Sequence, residues 1–193
     1  WVTVNWEIRE QPDKEILDQL HSALNIPRFI CTLLIQRSID SLKLAQAYFR
    51  PNLDELNDPF MMKDMDKSVD RLIRAIEGNE KIMILGDYDV DGTTSVSMLY
   101  DYFKKKTLDP IFYIPDRYKE GYGVSDQSIE FAEENNVSLL ITIDCGIKAN
   151  DKIESANTKG IDVIICDHHI PDNKIPKAYS IINPNQNKCD YPF

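Results

Sequence analysis

The sequence predicts an α/β fold: a parallel β-sheet with helices on both faces, preceded by a short helical N-terminal region. Four continuous apolar runs have the length of strands, and they are KIMIL (81–85), IFYI (111–114), LLITI (139–143) and IDVIIC (161–166). Helical periodicity lies between them, near 95–106, 125–136 and 149–158. Because these runs lack polar alternation, they indicate strands buried on both faces, which is typical of parallel sheets.

The N-terminal part predicts short helices. Pro12 and Asp13 open a first helix with apolar residues at helical spacing, and Pro27 opens a second. Ser41 is placed to cap a third helix, which Pro51 ends because proline cannot continue it.

The helical region gives way to the α/β pattern near Asp66. Residues 52–65 predict a loop or linker, and a helix then runs to Gly78 before the first strand. The predicted division is therefore a helical N-terminal region at 1–65 and an α/β domain at 66–193.

Composition excludes several classes of protein. No run of 18 apolar residues and no cationic leader followed by an apolar run are found, so we expect no membrane segment or secretory signal. The chain starts at Trp1, so a trimmed N-terminus is expected. The four cysteines form no CxxC pair, which predicts reduced thiols, a cytoplasmic protein and no zinc site. A net charge of −10 argues against a protein that coats DNA, unless bound metals or a basic surface elsewhere compensate.

Polar clusters follow every predicted strand. They are GDYDVDG (86–92), PDR and EGYG (115–117 and 120–123), DCG (144–146) and DHH (167–169). The carboxyl ends of parallel strands form the ligand crevice of an open α/β sheet, so these clusters are expected to meet there.

The cluster GDYDVDG predicts a metal site. Asp87, Asp89 and Asp91 would repel one another if ionised without a partner, and a hard divalent cation removes that repulsion. Residues 93–95 (TTS) can cap the following helix, whose N-terminus favours an anion such as phosphate.

Two alternatives apply to the same cluster. Its spacing matches the start of an EF-hand loop, but that loop needs a preceding helix and a glutamate at its twelfth position, which is Met98 here. A solvated acidic turn is the other alternative.

The later clusters add imidazole to the carboxylates. Asp144 taken alone is as consistent with a turn or a helix cap. His168 and His169 beside Asp167, at the same sheet edge, favour a site for Mn²⁺ or Mg²⁺, with Mn²⁺ preferred because histidine is present. Two ions sharing Asp144 would support in-line phosphoryl displacement, and hence hydrolysis of a phosphodiester or phosphoanhydride.

Two residues after the second strand are candidates for substrate contact. The guanidinium of Arg117 suits bidentate recognition of phosphate, although a surface ion pair with Glu120 is equally consistent with the sequence. Tyr122 is a candidate for stacking on a base, or else an ordinary packed aromatic.

Together these motifs resemble the DHH superfamily of phosphoesterases, and most closely its RecJ-type members. The resemblance extends over nearly all of the chain past residue 25. Its further supports are DPF (58–60), MDK (65–67), YIPDR (113–117), INPN (182–185) and YPF (191–193).

The resemblance implies a cytoplasmic 5′→3′ exonuclease on single-stranded DNA that acts in recombination and repair with Mn²⁺ or Mg²⁺. Other DNA-repair proteins are possible partners, and a membrane is not expected. The resemblance implies that the metal ligands are Asp89, Asp91, Asp144 and His168, with Asp87 as a further ligand or a neighbour. It implies that His169, with Asp167, contacts phosphate or stabilises the transition state. It also implies that Arg117, with Tyr122, binds a phosphate of the substrate.

Two departures from the family pattern affect these expectations. Leu85 stands where many DHH enzymes have a histidine, so one metal would be held weakly or would use Asp87. RecJ-type enzymes continue beyond the equivalent of Phe193 into further domains, so this chain is expected to be a fragment with little or no exonuclease activity alone. The alternatives are a DHH phosphodiesterase or pyrophosphatase acting on short oligonucleotides, cyclic dinucleotides or similar small substrates, and a non-catalytic DHH scaffold.

Overall fold

The computed structural model describes residues 5–106 and 108–192, so Trp1 and Phe193 of the patterns above lie outside the described residues. The chain forms two compact units, one ending at Leu56 and the other beginning at Asn57. Within the described residues, no helix is both long and apolar enough to cross a lipid bilayer.

The first unit is helical, as predicted. It contains α1 (Lys14–Leu24), α2 (Arg28–Ile35) and α3 (Leu42–Phe49). The Asp13 carboxylate accepts hydrogen bonds from the first turn of α1, and the Ser41 hydroxyl accepts one from the first turn of α3. Both satisfy backbone N–H groups that a helix leaves unpaired at its start. The core of this unit is built from Leu20, Cys31, Leu34 and Ala45.

The predicted linker contains two short 3₁₀ turns, Leu53–Glu55 and Pro59–Met61. The second part of it is tied to the α/β unit, because Asp64 accepts a hydrogen bond from the backbone N–H of Ile181, and Lys63 donates to the backbone carbonyl of Asn187. The segment 57–65 therefore packs with the sheet.

The second unit is a five-stranded parallel sheet with the order β2-β1-β3-β4-β5, which confirms the predicted fold class. Its elements are α4 (Met65–Glu77), β1 (Ile82–Gly86), α5 (Val90–Lys105), β2 (Ile111–Tyr113), α6 (Asp126–Glu134), β3 (Leu139–Ile143), α7 (Asn150–Thr158), β4 (Asp162–Cys166) and β5 (Ser180–Ile182). The sequence analysis did not predict β5.

Helices cover both faces of this sheet. Successive side chains of a strand point to opposite faces, so Ile82 and Ile84 pack with α4 and α5, whereas Met83 and Leu85 pack in the core with α6 and α7. Leu85 is fully buried in the core formed with α6 and α7. It is therefore a packing residue and has no role at the sheet edge.

The helix after β1 starts earlier than the sequence predicted. Helix α5 begins at Val90, and its N-cap is Asp89, so the expected cap at residues 93–95 is wrong. Asp89 accepts from two N–H groups of the first turn. Gly92 allows this winding because a Cβ there would lie 2.3 Å from the carbonyl oxygen of Asp87. Since β1 is a strand and Met98 lies within α5, the EF-hand alternative is excluded.

Candidate metal and phosphate site

The site lies where four neighbouring strands end in register. Gly86 of β1 pairs with Ile143 of β3, Ile143 pairs with Cys166 of β4, and Cys166 pairs with Ile182 of β5. The next residue of each strand is polar, which gives the row Asp87, Asp144, Asp167 and Asn183. This row occupies the carboxyl edge of the sheet, as the sequence analysis expected for its three aspartates.

After β1, the three carboxylates of GDYDVDG take different positions. Asp87 is buried, and its Oδ1 accepts a hydrogen bond of 3.3 Å from the backbone N–H of Gly123. Asp89 is exposed and caps α5. Asp91 is exposed in the first turn of α5, where it lines a cavity together with Asp144 and His168.

Asp144 is held in an unusual backbone conformation. Its φ is 60°, in the left-handed region, which aspartate tolerates better than most residues. Its backbone N–H donates to the carbonyl of Cys166 at 2.9 Å, and its carboxylate is buried. The Nε2 of His168 lies 2.9 Å from Asp144 Oδ1. This turn therefore aims the carboxylate at the end of the neighbouring strand.

Asp167 uses both carboxylate oxygens within the protein. Its Oδ1 accepts from the backbone N–H groups of His168 and His169, and lies 2.7 Å from His169 Nδ1. Its Oδ2 accepts from the backbone N–H of Ile147 at 3.0 Å. The side chain is almost fully buried. Asp167 thus fixes the loop and orients the ring of His169, whose Nδ1 and Nε2 lie 3.3 and 3.4 Å from the Tyr122 hydroxyl.

Two carboxylates of the site interact with each other. A backbone hydrogen bond from Gly92, outweighing partial burial, lowers the pKa of Asp89, and a hydrogen bond with Asp144 adds to this. Burial and the charge of Asp89 raise the pKa of Asp144. The charge of Asp89 thus opposes the ionisation of Asp144, and a divalent cation would relieve this repulsion.

Asp144, His168 and His169 form a group that could hold a metal ion, because their donor atoms lie within 4.8 Å of one another. Ligands of one small divalent ion lie about 2.1 Å from it, so this spacing is close to that of a common coordination sphere. The donor set is mixed carboxylate and imidazole, which suits Mn²⁺. Asp87, Asp89 and Asp91 are not members of this group, although Asp89 contacts Asp144.

Tyr122 belongs to the same site. Its hydroxyl donates to the backbone carbonyl of Asp144 at 3.0 Å, and its ring meets His169 edge-on with centroids 5.8 Å apart. Burial first, and then the charge of Asp167, raise the pKa of Tyr122, so the hydroxyl stays protonated. The ring is 54% exposed. Tyr122 therefore supports the Asp144 turn while leaving part of its ring accessible.

Arg117 stacks on an aromatic ring. Its guanidinium lies 5.1 Å from the centroid of Tyr88, within the acidic loop after β1. Glu120 instead accepts from the Tyr113 hydroxyl and the backbone N–H of Asp116, both at 2.8 Å. No ion pair of Arg117 occurs among the described residues, so the Arg117–Glu120 alternative is not supported and the guanidinium is available to a ligand.

Two asparagines hold the histidine loop, a role that the sequence analysis did not assign although it named INPN (182–185) as part of the resemblance. Asn183 is fully buried, and its amide donates to the backbone carbonyl of His169 at 2.9 Å. The amide of Asn185 donates to the carbonyl of His168 at 2.5 Å. Their signal in the sequence was the polar segment that follows the short apolar pair Ile181–Ile182, the same segment that marks β5.

Two cavities meet at Asp167. One, of about 530 Å³, is lined by Asp91, Asp144 and His168. The other, of about 650 Å³, is lined by His169, Tyr122 and the start of α7. The two neighbouring histidines therefore face different cavities.

Comparison with known proteins was made for the sequence and for the fold. Residues 81–190 match the family described as DHH family, N-terminal domain. The single-stranded-DNA-specific exonuclease RecJ of Bacillus subtilis (strain 168) is 40% identical over 190 residues, which are 98% of this chain and 24% of that protein. This chain thus spans about a quarter of the length of that relative.

Solved structures agree with this match. A crystal structure of exonuclease RecJ bound to manganese is 28% identical with a TM-score of 0.63, over 69% of this chain and 34% of that one. RecJ in complex with Mn²⁺ from Thermus thermophilus is 21% identical with a TM-score of 0.66, over 96% of this chain and 26% of that one. The second likeness bears on the fold alone.

Proposed function

This chain belongs to the DHH family, and on that basis we propose that it is the metal-binding part of a 5′→3′ exonuclease that hydrolyses phosphodiester bonds of single-stranded DNA. The observation that carries the proposal is the group of Asp144, His168 and His169 at the ends of adjacent parallel strands. The 40% identity to a single-stranded-DNA-specific exonuclease supports the substrate class. Residues 66–193 would form the DHH domain, and the setting would be cytoplasmic DNA recombination and repair.

The site would bind two divalent ions, either Mn²⁺ or Mg²⁺. Asp144 and His168 would hold them, with Asp91 at the same cavity. Asp89, which contacts Asp144, and the buried Asp87 would complete the ligand set. Bound divalent ions neutralise charge on the phosphate and activate water for in-line displacement. The repulsion between Asp89 and Asp144 supports this assignment, because it makes the unloaded site unfavourable.

The protein groups around the metals would act on the substrate. The Asp167 carboxylate lies 2.7 Å from His169 Nδ1 and orients that ring, which would present its other nitrogen to the phosphate to be cleaved. Tyr122 keeps Asp144 in its turn through the backbone carbonyl. Arg117, held over Tyr88, would grip a phosphate near the 5′ end of the strand.

The test is a Mn²⁺ titration of the 193-residue chain with calorimetric readout. Alanine at Asp89, Asp144 or His168 is expected to lower the affinity, whereas alanine at the exposed, distant Asp101 is the matched control. Unchanged Mn²⁺ binding in all three site variants would refute the proposal. Activity is measured on 5′-labelled single strands, with this chain replacing the matching 190 residues of the Bacillus subtilis relative.

The same assay separates the remaining alternative. A DHH phosphodiesterase for short oligonucleotides or cyclic dinucleotides would use the same metal group and would cleave those substrates faster than long single strands. A non-catalytic scaffold is disfavoured because the motif carboxylates and both histidines are retained.

A further inference from the structure

The 650 Å³ cavity beside His169 contains a concentration of positive charge. Lys148, Lys152 and Lys174 line it, in a chain whose net charge is −10. Its acidic lining residues are Asp151 and the almost fully buried Asp167, whose oxygens accept hydrogen bonds from backbone N–H groups and face His169 Nδ1. The cavity therefore places lysine side chains near His169, which lies beside the proposed metal ligands.

The lysines are held weakly by their present partners. Lys148 pairs with Asp172 at 3.6 Å, and both side chains are more than half exposed. Lys152 pairs with Asp126 at 2.6 Å. An ion pair between two exposed side chains stabilises the protein little, so an incoming anion can replace Asp172 at Lys148 at little cost. For Lys174, the described residues include no ion pair.

The position of Lys174 is fixed through its backbone. The Asn150 side-chain amide donates to the carbonyl of Lys174 at 3.1 Å, which ties the loop after the histidines to the start of α7. Lys148 stands two residues before Asn150 and so lies at the same mouth of the cavity. The two lysines thus come from loops that follow different strands and converge at one place.

The second cavity has the opposite character. Its lining includes Asp91, Asp144, Asp167 and His168, and none of its described lining residues is a lysine or arginine. The carboxyl edge is therefore divided at Asp167 into an acidic side suited to metal ions and a lysine-lined side suited to an anion.

We propose that the lysine-lined cavity binds a second phosphate of the DNA strand, adjacent to the phosphate that is cleaved. This inference rests on the proposed function and adds a subsite to it. The scissile phosphate would lie at the metal ions held by Asp144 and His168, beside His169. Lys148 and Lys174 would neutralise the neighbouring phosphate. The chemistry required of the ligand is two phosphates joined through one nucleoside.

The experiment compares two probes that differ by one nucleotide: the 5′-phosphorylated dinucleotide pTpT, with two phosphates, and thymidine 5′-monophosphate, with one. Both are titrated by NMR into the 193-residue chain in the presence of Mn²⁺. The variant is K148Q/K174Q. The matched control is K105Q, which removes another exposed lysine paired with an aspartate, on the far end of α5.

K148Q/K174Q is expected to weaken pTpT binding about tenfold while leaving the monophosphate unchanged, and K105Q is expected to alter neither. The salt dependence of pTpT binding should lose a slope of about 0.7, corresponding to one phosphate contact on a single strand. Mn²⁺ affinity, measured on the same samples, should be unchanged in both variants and verifies that they are folded.

Equal losses for both probes, or no loss for either, would overturn the second-phosphate subsite. If the wild-type chain binds Mn²⁺ but binds neither probe, the subsite fails while the metal site stands. If the wild-type chain does not bind Mn²⁺, the proposed function itself fails.

Discussion

The two ends of the sheet hold charged residues in opposite ways. At the end where strands begin, Arg71 of α4 donates to Asp162 and Glu80, each at 2.6 Å, so one buried cation is matched by two partly exposed carboxylates. Burial lowers the pKa of Arg71, but the hydrogen bonds with these carboxylates outweigh burial, so the pKa is raised. At the end where strands finish, Asp89 and Asp144 meet beside the imidazoles of His168 and His169, without a lysine or arginine partner among the described residues.

The difference separates a structural cluster from a candidate metal site. The Arg71 cluster is complete within the protein and stabilises the attachment of α4 to the sheet. The Asp144 cluster is incomplete, because burial and the charge of Asp89 oppose the ionisation of Asp144, and a bound cation would offset both. Mutations at the two ends should therefore separate stability from metal binding.

The largest effect is expected from Asp144→Asn. Asparagine is nearly isosteric and also tolerates the left-handed φ, so the fold should be retained. Mn²⁺ affinity should fall more than about 100-fold, since loss of a mere neighbour of a metal ligand already costs about 10–100-fold. Mn²⁺ should raise the Tm of the wild-type chain but not that of the variant, as measured by calorimetry. A variant still stabilised by Mn²⁺ would remove Asp144 from the site.

In metal-free protein, we expect Asp144→Asn to raise the free energy of unfolding, by an amount that depends on pH. The pKa of Asp144 is raised above its ordinary 3.8. Its proton therefore stabilises the fold fully below pH 3.8, and this contribution is lost as the pH rises through the raised value. Above that window the wild-type chain should be less stable than Asp144→Asn, and the difference should narrow as the pH falls through it. Urea unfolding at several pH values in a chelator measures this.

Arg71→Met should have the second largest effect and should act on stability alone. Removing the cation leaves two carboxylates without a partner, which costs about 3–5 kcal/mol for a fully buried pair. Because Glu80 and Asp162 are partly exposed, we expect about 2 kcal/mol from urea unfolding. Arg74→Met, on the same helix, is the control and should cost less. A large loss of Mn²⁺ affinity in folded Arg71→Met would contradict the separation of the two ends.

Tyr88→Leu should have the smallest effect, on substrate affinity. A cation–π contact at an exposed site contributes about 0.5–1 kcal/mol, so losing the support of Arg117 should weaken binding of a 5′-phosphorylated strand about two- to fivefold. Tyr88→Phe keeps the ring and should bind like the wild type. Equal losses in both variants would show that the hydroxyl, rather than the ring beneath Arg117, is what matters.

Much of the fold was predictable because its elements carry strong local signals. Strands β1, β3 and β4 begin and end within one residue of the apolar runs that predicted them. Asp13 and Ser41 cap the helices that the sequence placed after them. The short strand β5 was missed because Ser180–Ile182 offers only two apolar residues. This segment is a strand because it pairs with β4, from which a loop separates it in the sequence.

The site was predictable in composition but not in its internal arrangement. The position of aspartates directly after three strands placed Asp87, Asp144 and Asp167 together. Which of them is free to bind was decided by the fold, because Asp167 accepts from three backbone N–H groups and Asp87 accepts from that of Gly123.

The sequence by itself therefore determined the parallel α/β architecture and the collection of carboxylates and imidazoles at one edge, because strand burial and strand-end position are local properties of the chain. Only the tertiary structure decided that His168 and His169 face different cavities, that Asn183 and Asn185 hold their loop, and that lysines converge beside one of them. These features depend on distances between residues far apart in sequence, and side-chain types along a chain do not specify such distances.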